Sequence, residues 1–437
     1  MKICFIGAGS TVFAKNLLGD CILNPNLGEF EIALHDIDAR RLSESFKLIS
    51  AVNKYHNGKA KISVHVDRKE ALEGADFVIN AIQVGGYKPC TVYDFKIPAK
   101  YGLKQTIGDT LGIGGIMRGL RTINALEGIA KDIEEVCPKA LFLNYTNPMA
   151  IVTGYLQKHT KVNATGLCHS VQACVPTLLD IVGLKGQYLD ECRWQIYGIN
   201  HQAWLVEITD KDGNDLYPEI KRRSLAKGCP KTDLVRRELM HTFGYYVTES
   251  SEHNAEYTPY FIKDLYPGLY RKYKVPINEY PRRCRWQIRD RRKKARMLDK
   301  PDMVKHTLTN EYGSRIIEAA TLNKPYIFHG SFLNTQLLIP NLPPEACVEV
   351  PAVVDAKGFH PVKCARLPEQ CAALNRTNIN VQLLTLKAWE TRKLDDIVMA
   401  AALDPHTACE LSLDDIKEMV KELYKAHRKG GWLPDFD

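Results

Sequence analysis

The chain contains no Cys-x-x-Cys, no internal repeat, no low-complexity tract and no Pro/Gly/Ser-rich linker. Its 13 cysteines, an odd and scattered set, therefore argue against a disulfide framework or a structural zinc module. They point to a reduced, cytoplasmic setting, in which a thiolate stays available as a metal ligand. Long apolar runs are also missing. The charge-free run Ala140 to Gln157 holds Asn144, Tyr145, Thr146, Asn147 and Pro148 and is too polar to span a bilayer, so no membrane partner is expected. No basic stretch followed by an apolar stretch opens the sequence, so a signal peptide is not expected. Charge of one sign is scarce too: 59 Lys and Arg against 51 Asp and Glu leave +8, too mild over 437 residues to imply nucleic acid as a partner.

With 45% hydrophobic and 25% charged residues, the composition is that of a globular protein. The length predicts two or three domains. Lys2 to Ile6 reads as a short strand, Gly7-Ala8-Gly9-Ser10-Thr11 as a turn, and Val12 to Asp20 as a helix. In that setting Gly7 permits the tight turn, Gly9 lets the backbone approach a pyrophosphate, and the helix start with Ser10 and Thr11 offers N–H groups to it. The third glycine of the usual fingerprint is replaced by Val12. A second strand, Phe30 to His35, ends at Asp36, which can accept hydrogen bonds from a ribose diol and would repel a 2′-phosphate. NAD is thus the expected cofactor, although two glycines can also make an ordinary strand–helix turn.

Further strands fit near His65, at Ala75 to Ile82, Ala140 to Asn144, Val162 to Gly166 and Gln195 to Asn200, with helices at Ala39 to Lys54 and Arg118 to Val136 between them. This alternation predicts an α/β chain: a Rossmann-type, doubly wound parallel sheet over residues 1–195. A tightly packed C-terminal α+β domain is expected over 196–437, its core covered by helices at Asn380 to Thr391 and Leu413 to His427. Ligands bind beyond the carboxyl ends of such strands. Three polar, glycine-bearing or asparagine-bearing loops are expected there: Gln83 to Tyr87, Gly108 to Gly115 and Asn144 to Pro148. Cys168 after one strand and His201 after another can converge on a metal, leaving positions open for substrate oxygens. A titratable cluster, Glu249 to Tyr260, does not read as an amphipathic helix. Arg282 to Arg296 carries nine basic residues and one acid, and reads as a solvated helix face or a subunit contact.

Several of these stretches, in this order, resemble glycoside hydrolase family 4, nearest to its α-galactosidase branch. They are Ile6-Gly7-Ala8-Gly9-Ser10-Thr11, Gln83-Val84-Gly85-Gly86-Tyr87, Gly108-Asp109-Thr110-Leu111-Gly112, Asn144-Tyr145-Thr146-Asn147-Pro148-Met149, Gly166-Leu167-Cys168-His169-Ser170, Gly198-Ile199-Asn200-His201 and Thr248 to Tyr260. The resemblance implies an NAD-dependent exception to the usual two-carboxylate hydrolysis. NAD⁺ would take a hydride from sugar C3, a base would remove the acidified C2 proton, and the C1–oxygen bond would break by elimination. Water would then add and the hydride return. A divalent cation, usually Mn²⁺, would bind the C2 and C3 oxygens.

On this resemblance Cys168 and His201 match the metal ligands and Asn147 the substrate-binding asparagine. Tyr257 is the candidate C2 base, and Asp109 a sugar contact in the catalytic set. Where the α-glucosidase-like branches place an Asp as leaving-group acid, this chain has His169, which makes that histidine or a metal-linked water the candidate acid. The substrate implied is an α-galactoside, with α-galacturonides or α-glucosides as alternatives, and the assembly implied is a homodimer or homotetramer. Two other classes share the predicted fold. A lactate- or malate-type dehydrogenase would release NADH stoichiometrically, and a non-catalytic dinucleotide sensor would need neither Cys168 nor His201.

Overall fold

A computed structural model describes residues 1–297 and 304–437, without the side chains of residues 11, 12, 292 and 294–297. The expected role of the Thr11 side chain, and part of the basic run near residue 290, lie outside the described residues.

Six parallel strands stand in the order β3-β2-β1-β4-β5-β6. They are β1 (Lys2–Ile6), β2 (Phe30–His35), β3 (Ala60–His65), β4 (Phe77–Asn80), β5 (Leu141–Asn144) and β6 (Asn163–Gly166). The crossovers carry α1 (Thr11–Leu23), α2 (Ala39–Tyr55), α3 (Arg68–Leu72), α4 (Val92–Lys100), α5 (Gly112–Val136) and α6 (Met149–His159), and α7 (Ser170–Ile181) follows β6. The order reverses between β1 and β4, and that switch point is where such sheets take ligands. Period two explains the double winding. Ile3 and Phe5 join one core with Leu17, Leu18 and Ile49, while Cys4 and Ile6 join another with Ile116, Leu120 and Ile123.

The second half extends this same sheet rather than building one of its own. β7 (Arg193–Ile199), β8 (Gln202–Thr209), β9 (Tyr246–Val247), β10 (Tyr326–Leu333), β11 (Cys347–Asp355) and β12 (Gly358–Pro361) are antiparallel. β10 joins β6 at the single register pair Ser331↔Gly166. The late helices also differ from expectation. Glu369–Thr391 and Leu413–Lys429 pack on α4, α5 and α6, so they cover the nucleotide half as well as their own. Val381, Leu386, Trp389, Met419 and Leu423 belong to the same buried cluster as Ile116 and Leu120. An α5 that is apolar on most of its circumference needs that cover.

The glycine-rich stretch Gly108 to Gly115 does not follow a strand. It joins α4 to α5, and Gly112 opens α5. Its glycines serve close packing: a Cβ on Gly114 would stand 2.3 Å from the Gly108 carbonyl oxygen, and one on Gly115 2.5 Å from the Thr110 carbonyl carbon. Among the described residues no helix is long and apolar enough to cross a membrane. All 13 cysteines are free thiols.

Candidate active site

The β1–α1 turn is built as its sequence requires. Gly7 has φ +85°, and a Cβ there would fall 2.7 Å from the Ala81 carbonyl oxygen just beyond β4. Only glycine lets the two strand ends approach this closely. Asp36 ends β2 and braces the turn: its Oδ2 accepts the Gly9 N–H at 2.7 Å and its Oδ1 the Asp38 N–H at 2.9 Å. The carboxylate expected to meet a ribose therefore also fixes the phosphate-facing loop. Over the switch point lies a cavity of about 160 Å³, lined by Ser10, Phe13, Ala81–Gln83, Arg118 and Tyr145–Asn147. Two of the three expected loops contribute to it. The third, through Asp109, reaches it by way of Arg118, whose Nη1 lies 3.7 Å from Asp109 Oδ2. Arg118 Nε also donates to the Asn147 carbonyl at 3.1 Å, and the buried Asn147 Oδ1 has no protein partner. An unpaired buried acceptor at a pocket wall is a binding group in waiting.

Asp109 is set from beneath. Glu256 takes the backbone N–H groups of Thr106, Ile107 and Gly108 at 2.6, 3.2 and 2.9 Å, which anchors the loop. Glu256 ends a short helix, Ser251–Glu256, capped by Ser250, so the titratable cluster is partly helical after all. Four of its six residues are buried, so it lacks the two-faced pattern that would have marked it in the sequence.

Cys168 and His201 do converge. Each reaches the site from a loop beyond a strand end, and Glu249 joins them, the three donor atoms lying within 4.8 Å of one another. Cys168 is fixed by Tyr312, whose hydroxyl accepts the Cys168 N–H at 2.8 Å and donates to its carbonyl at 2.7 Å. His201 occupies the two-residue turn between β7 and β8 with φ +65°, and Glu249, beyond β9, has φ +66°. Left-handed backbone at non-glycine residues costs roughly 1–2 kcal/mol each and persists where function demands the geometry. His201 Nδ1 lies 3.0 Å from the Tyr257 hydroxyl, and its Nε2 3.7 Å from Glu249 Oε2. Burial opposes charge on His201, but Cys168 and Glu249 outweigh it and raise its pKa to about 10. The cluster thus attracts positive charge, and its soft and hard donors suit a divalent transition cation.

His253, which sequence reading left without a role, packs its ring 4.8 Å from that of His201. Its Nδ1 lies 3.3 Å from Glu249 Oε1 and its Nε2 3.8 Å from Asp109 Oδ1. Burial holds its pKa below the ordinary value despite these carboxylates. A polar chain therefore runs from the switch-point cavity (Asn147, Arg118, Asp109) through His253 to Glu249, His201 and Cys168. Tyr257 is buried beside it, and burial, then Asp109, push its phenol well above 10.

His169 Nε2 lies 2.6 Å from Oε2 of the buried Glu311. Burial lowers the His169 pKa, but Glu311 overcomes it, so the imidazolium persists to higher pH than usual. Glu311, Arg118, Glu249 and His253 were not singled out in the sequence. The last two stood inside the quoted cluster, whereas Glu311 had no local signal. The basic run forms a helix, Glu279–Met297, whose Tyr280 hydroxyl accepts from Arg118 Nη1 at 2.8 Å and whose Arg291 pairs with Glu44.

Comparison with known proteins identifies the family. Residues 2–184 match the family model described as family 4 glycosyl hydrolase, and residues 196–407 the model of that family's C-terminal domain. An alpha-galactosidase of Bacillus subtilis (strain 168) is 55% identical over 436 residues, covering 100% of this chain and 99% of the relative. An alpha-galactosidase of Rhizobium meliloti (strain 1021) is 33% identical, covering 100% of this chain and 89% of the relative. Among solved structures, a 6-phospho-alpha-glucosidase from gut microorganisms, in complex with NAD and Mn²⁺, superposes with a TM-score of 0.81 at 20% identity, covering 100% of this chain and 99% of that one. With both of its halves matched in order, the chain belongs to family 4 of the glycosyl hydrolases.

Proposed function

We propose that this enzyme hydrolyses α-galactosides with NAD⁺ and a divalent cation such as Mn²⁺. The observation that carries the reading is the Cys168–His201–Glu249 donor set, linked by one polar chain to the cavity at the β1/β4 switch point, where the glycine turn and Asp36 stand. The 55% identity to an alpha-galactosidase supports the choice of sugar. When bound, the dinucleotide supplies a hydride acceptor and the cation a Lewis acid for the sugar's C2 and C3 oxygens.

The chain's own groups take the remaining tasks. Gly7, Gly9 and Ser10 shape the phosphate turn and Asp36 faces the ribose. Asn147, its Oδ1 free, and Asp109, held by Glu256 and Arg118, orient the sugar. Tyr257 is the candidate base for the C2 proton, since its oxygen touches His201 and a cation held at that imidazole would offset the burial of the phenol. His169, whose pKa Glu311 raises, is the candidate to hand a proton to the departing alcohol. In this reading residues 1–195 carry the dinucleotide and Cys168, while 196–437 supply His201, Glu249 and Tyr257, so the cation is shared between halves.

Hydrolysis of an α-galactoside in D₂O tests the chemistry. The released sugar should carry deuterium at C2. Turnover without label would replace elimination by direct displacement.

A further inference from the structure

We propose that Glu249 is a third protein ligand, positioned by His253, and that it allows the enzyme to hold its divalent cation before any sugar arrives. This rests on the cation reading above.

Two donors bound to one ion at roughly 2.2–2.4 Å can stand no farther apart than about 4.4–4.8 Å. The donor atoms of Cys168, His201 and Glu249 lie within 4.8 Å of one another, so one ion can be reached from all three with small rotations. The carboxylate is also divided in its duties. Oε1 turns to His253 Nδ1 at 3.3 Å and Oε2 to His201 Nε2 at 3.7 Å. Both distances exceed a hydrogen bond, and among the described residues no donor completes one to either oxygen. This carboxylate, only 23% exposed, faces the cluster with lone pairs that no protein donor occupies at hydrogen-bond distance, and so can turn them to a cation.

Each imidazole donor or neighbour is then fixed from outside, as in metal centres where outer partners orient the ligands. Tyr257 meets His201 Nδ1, leaving Nε2 for the ion, and His253 steadies Glu249. The Ser250 hydroxyl lies 2.9 Å from His253 Nδ1 and limits that ring's rotation. The left-handed backbone is spent at two members of this set, His201 and Glu249. Charge completes the argument. A thiolate and a carboxylate neutralise a divalent ion, whereas a thiolate and a neutral imidazole alone would leave one positive charge for sugar oxygens and water to accommodate.

The experiment is Mn²⁺ titration of chelator-stripped protein without sugar, followed by the EPR signal of free Mn²⁺. Glu249→Gln should weaken binding by about 100-fold or more, and His253→Gln by the roughly 10–100-fold typical of an outer partner. Galactose should tighten Mn²⁺ binding more in Glu249→Gln than in the parent. With Co²⁺, the thiolate charge-transfer band should persist in Glu249→Gln while the ligand-field bands change, and NAD⁺ binding should be unaltered. Should the Gln variant fail to fold, Glu249→Asp, one methylene shorter, reads the same loss. Parent-like affinity in the folded Glu249 variant overturns the inference. If Cys168→Ser also binds Mn²⁺ as the parent does, the cation reading itself falls, so the two failures are distinguishable.

Discussion

Replacing Gly7 by alanine tests the nucleotide turn at a point where the outcome can be worked from distances. An L-residue at φ +85° pays roughly 1–2 kcal/mol for left-handed backbone. The added methyl would also lie 2.7 Å from the Ala81 oxygen, 2.8 Å from its carbonyl carbon and 3.0 Å from the Ile82 nitrogen. These are backbone atoms at the end of a buried parallel strand, so no rotamer change relieves the contact, and overpacking of this kind costs about 1–3 kcal/mol more. The sum, about 2–5 kcal/mol, falls on folding if the turn stays in place. It falls on NAD⁺ binding if the turn shifts away from β4 and takes Gly9 and Ser10 with it. Thermal unfolding and NAD⁺ titration by intrinsic fluorescence, read together, should therefore show a combined loss of that size, with Mn²⁺ affinity little changed. A Gly7→Ala protein with the parent's melting temperature and the parent's NAD⁺ affinity would refute the packing argument.

Four further outcomes follow from the site and its supports. His169→Asn should slow hydrolysis of an alkyl α-galactoside by about 10²–10⁴-fold and of a nitrophenyl galactoside far less, because only the poor leaving group needs the proton; equal losses would deny His169 the acid role. Glu311→Gln, which removes the charge that raises the His169 pKa, should move the alkaline limb of kcat/KM to lower pH. Glu349 is buried on β11, and burial pushes its pKa up to about 7 against about 4.3 when unfolded, so its stabilising share is full below pH 4 and is lost as pH climbs through 7. Glu349→Gln stays neutral, so its melting temperature relative to the parent should improve between pH 5 and pH 8; an offset independent of pH would contradict this. Asp94 pairs with the fully buried Arg121 at 2.7 Å and with His427 at 2.9 Å, and Arg121 in turn donates to the Val84 carbonyl at 3.2 Å. Asp94→Ala would strand a buried guanidinium at a cost of about 3–5 kcal/mol by denaturant unfolding.

The nucleotide half was legible because its signals are local. Gly7 and Gly9 follow an apolar strand directly, Asp36 ends the next one, and the alternation of β and α segments sets a parallel order with few alternatives. Two local signals misled. The glycines from 108 to 115 suggest a loose loop, yet tight helix–loop packing requires the same residue type, and composition does not separate the two causes. The late helices carry apolar stripes that say they cover something, not that the surface beneath is α5 and α6 of the other half. The antiparallel extension was equally hidden, since β10 meets β6 through a single register pair from distant parts of the chain.

At the cation centre the same limit has a physical cause that also explains its geometry. Glu249 meets Cys168 only after β6, the β7–β8 turn and the segment following β9 are brought side by side, and Glu311 meets His169 only when the residues before the helix Gly313–Leu322 also reach β6, and no spacing rule links them beforehand. His201 and Glu249 adopt backbone conformations that their residue types disfavour, so local propensity argued against the turns they occupy. Glycine at either position would relax the backbone and delete a donor. The chain keeps the strained residues, and the site's demand for a thiolate, an imidazole and a carboxylate around one point decides the conformation there. Local preference and global fold agree through most of the nucleotide half, and they part at the residues whose side chains, not their backbones, are needed.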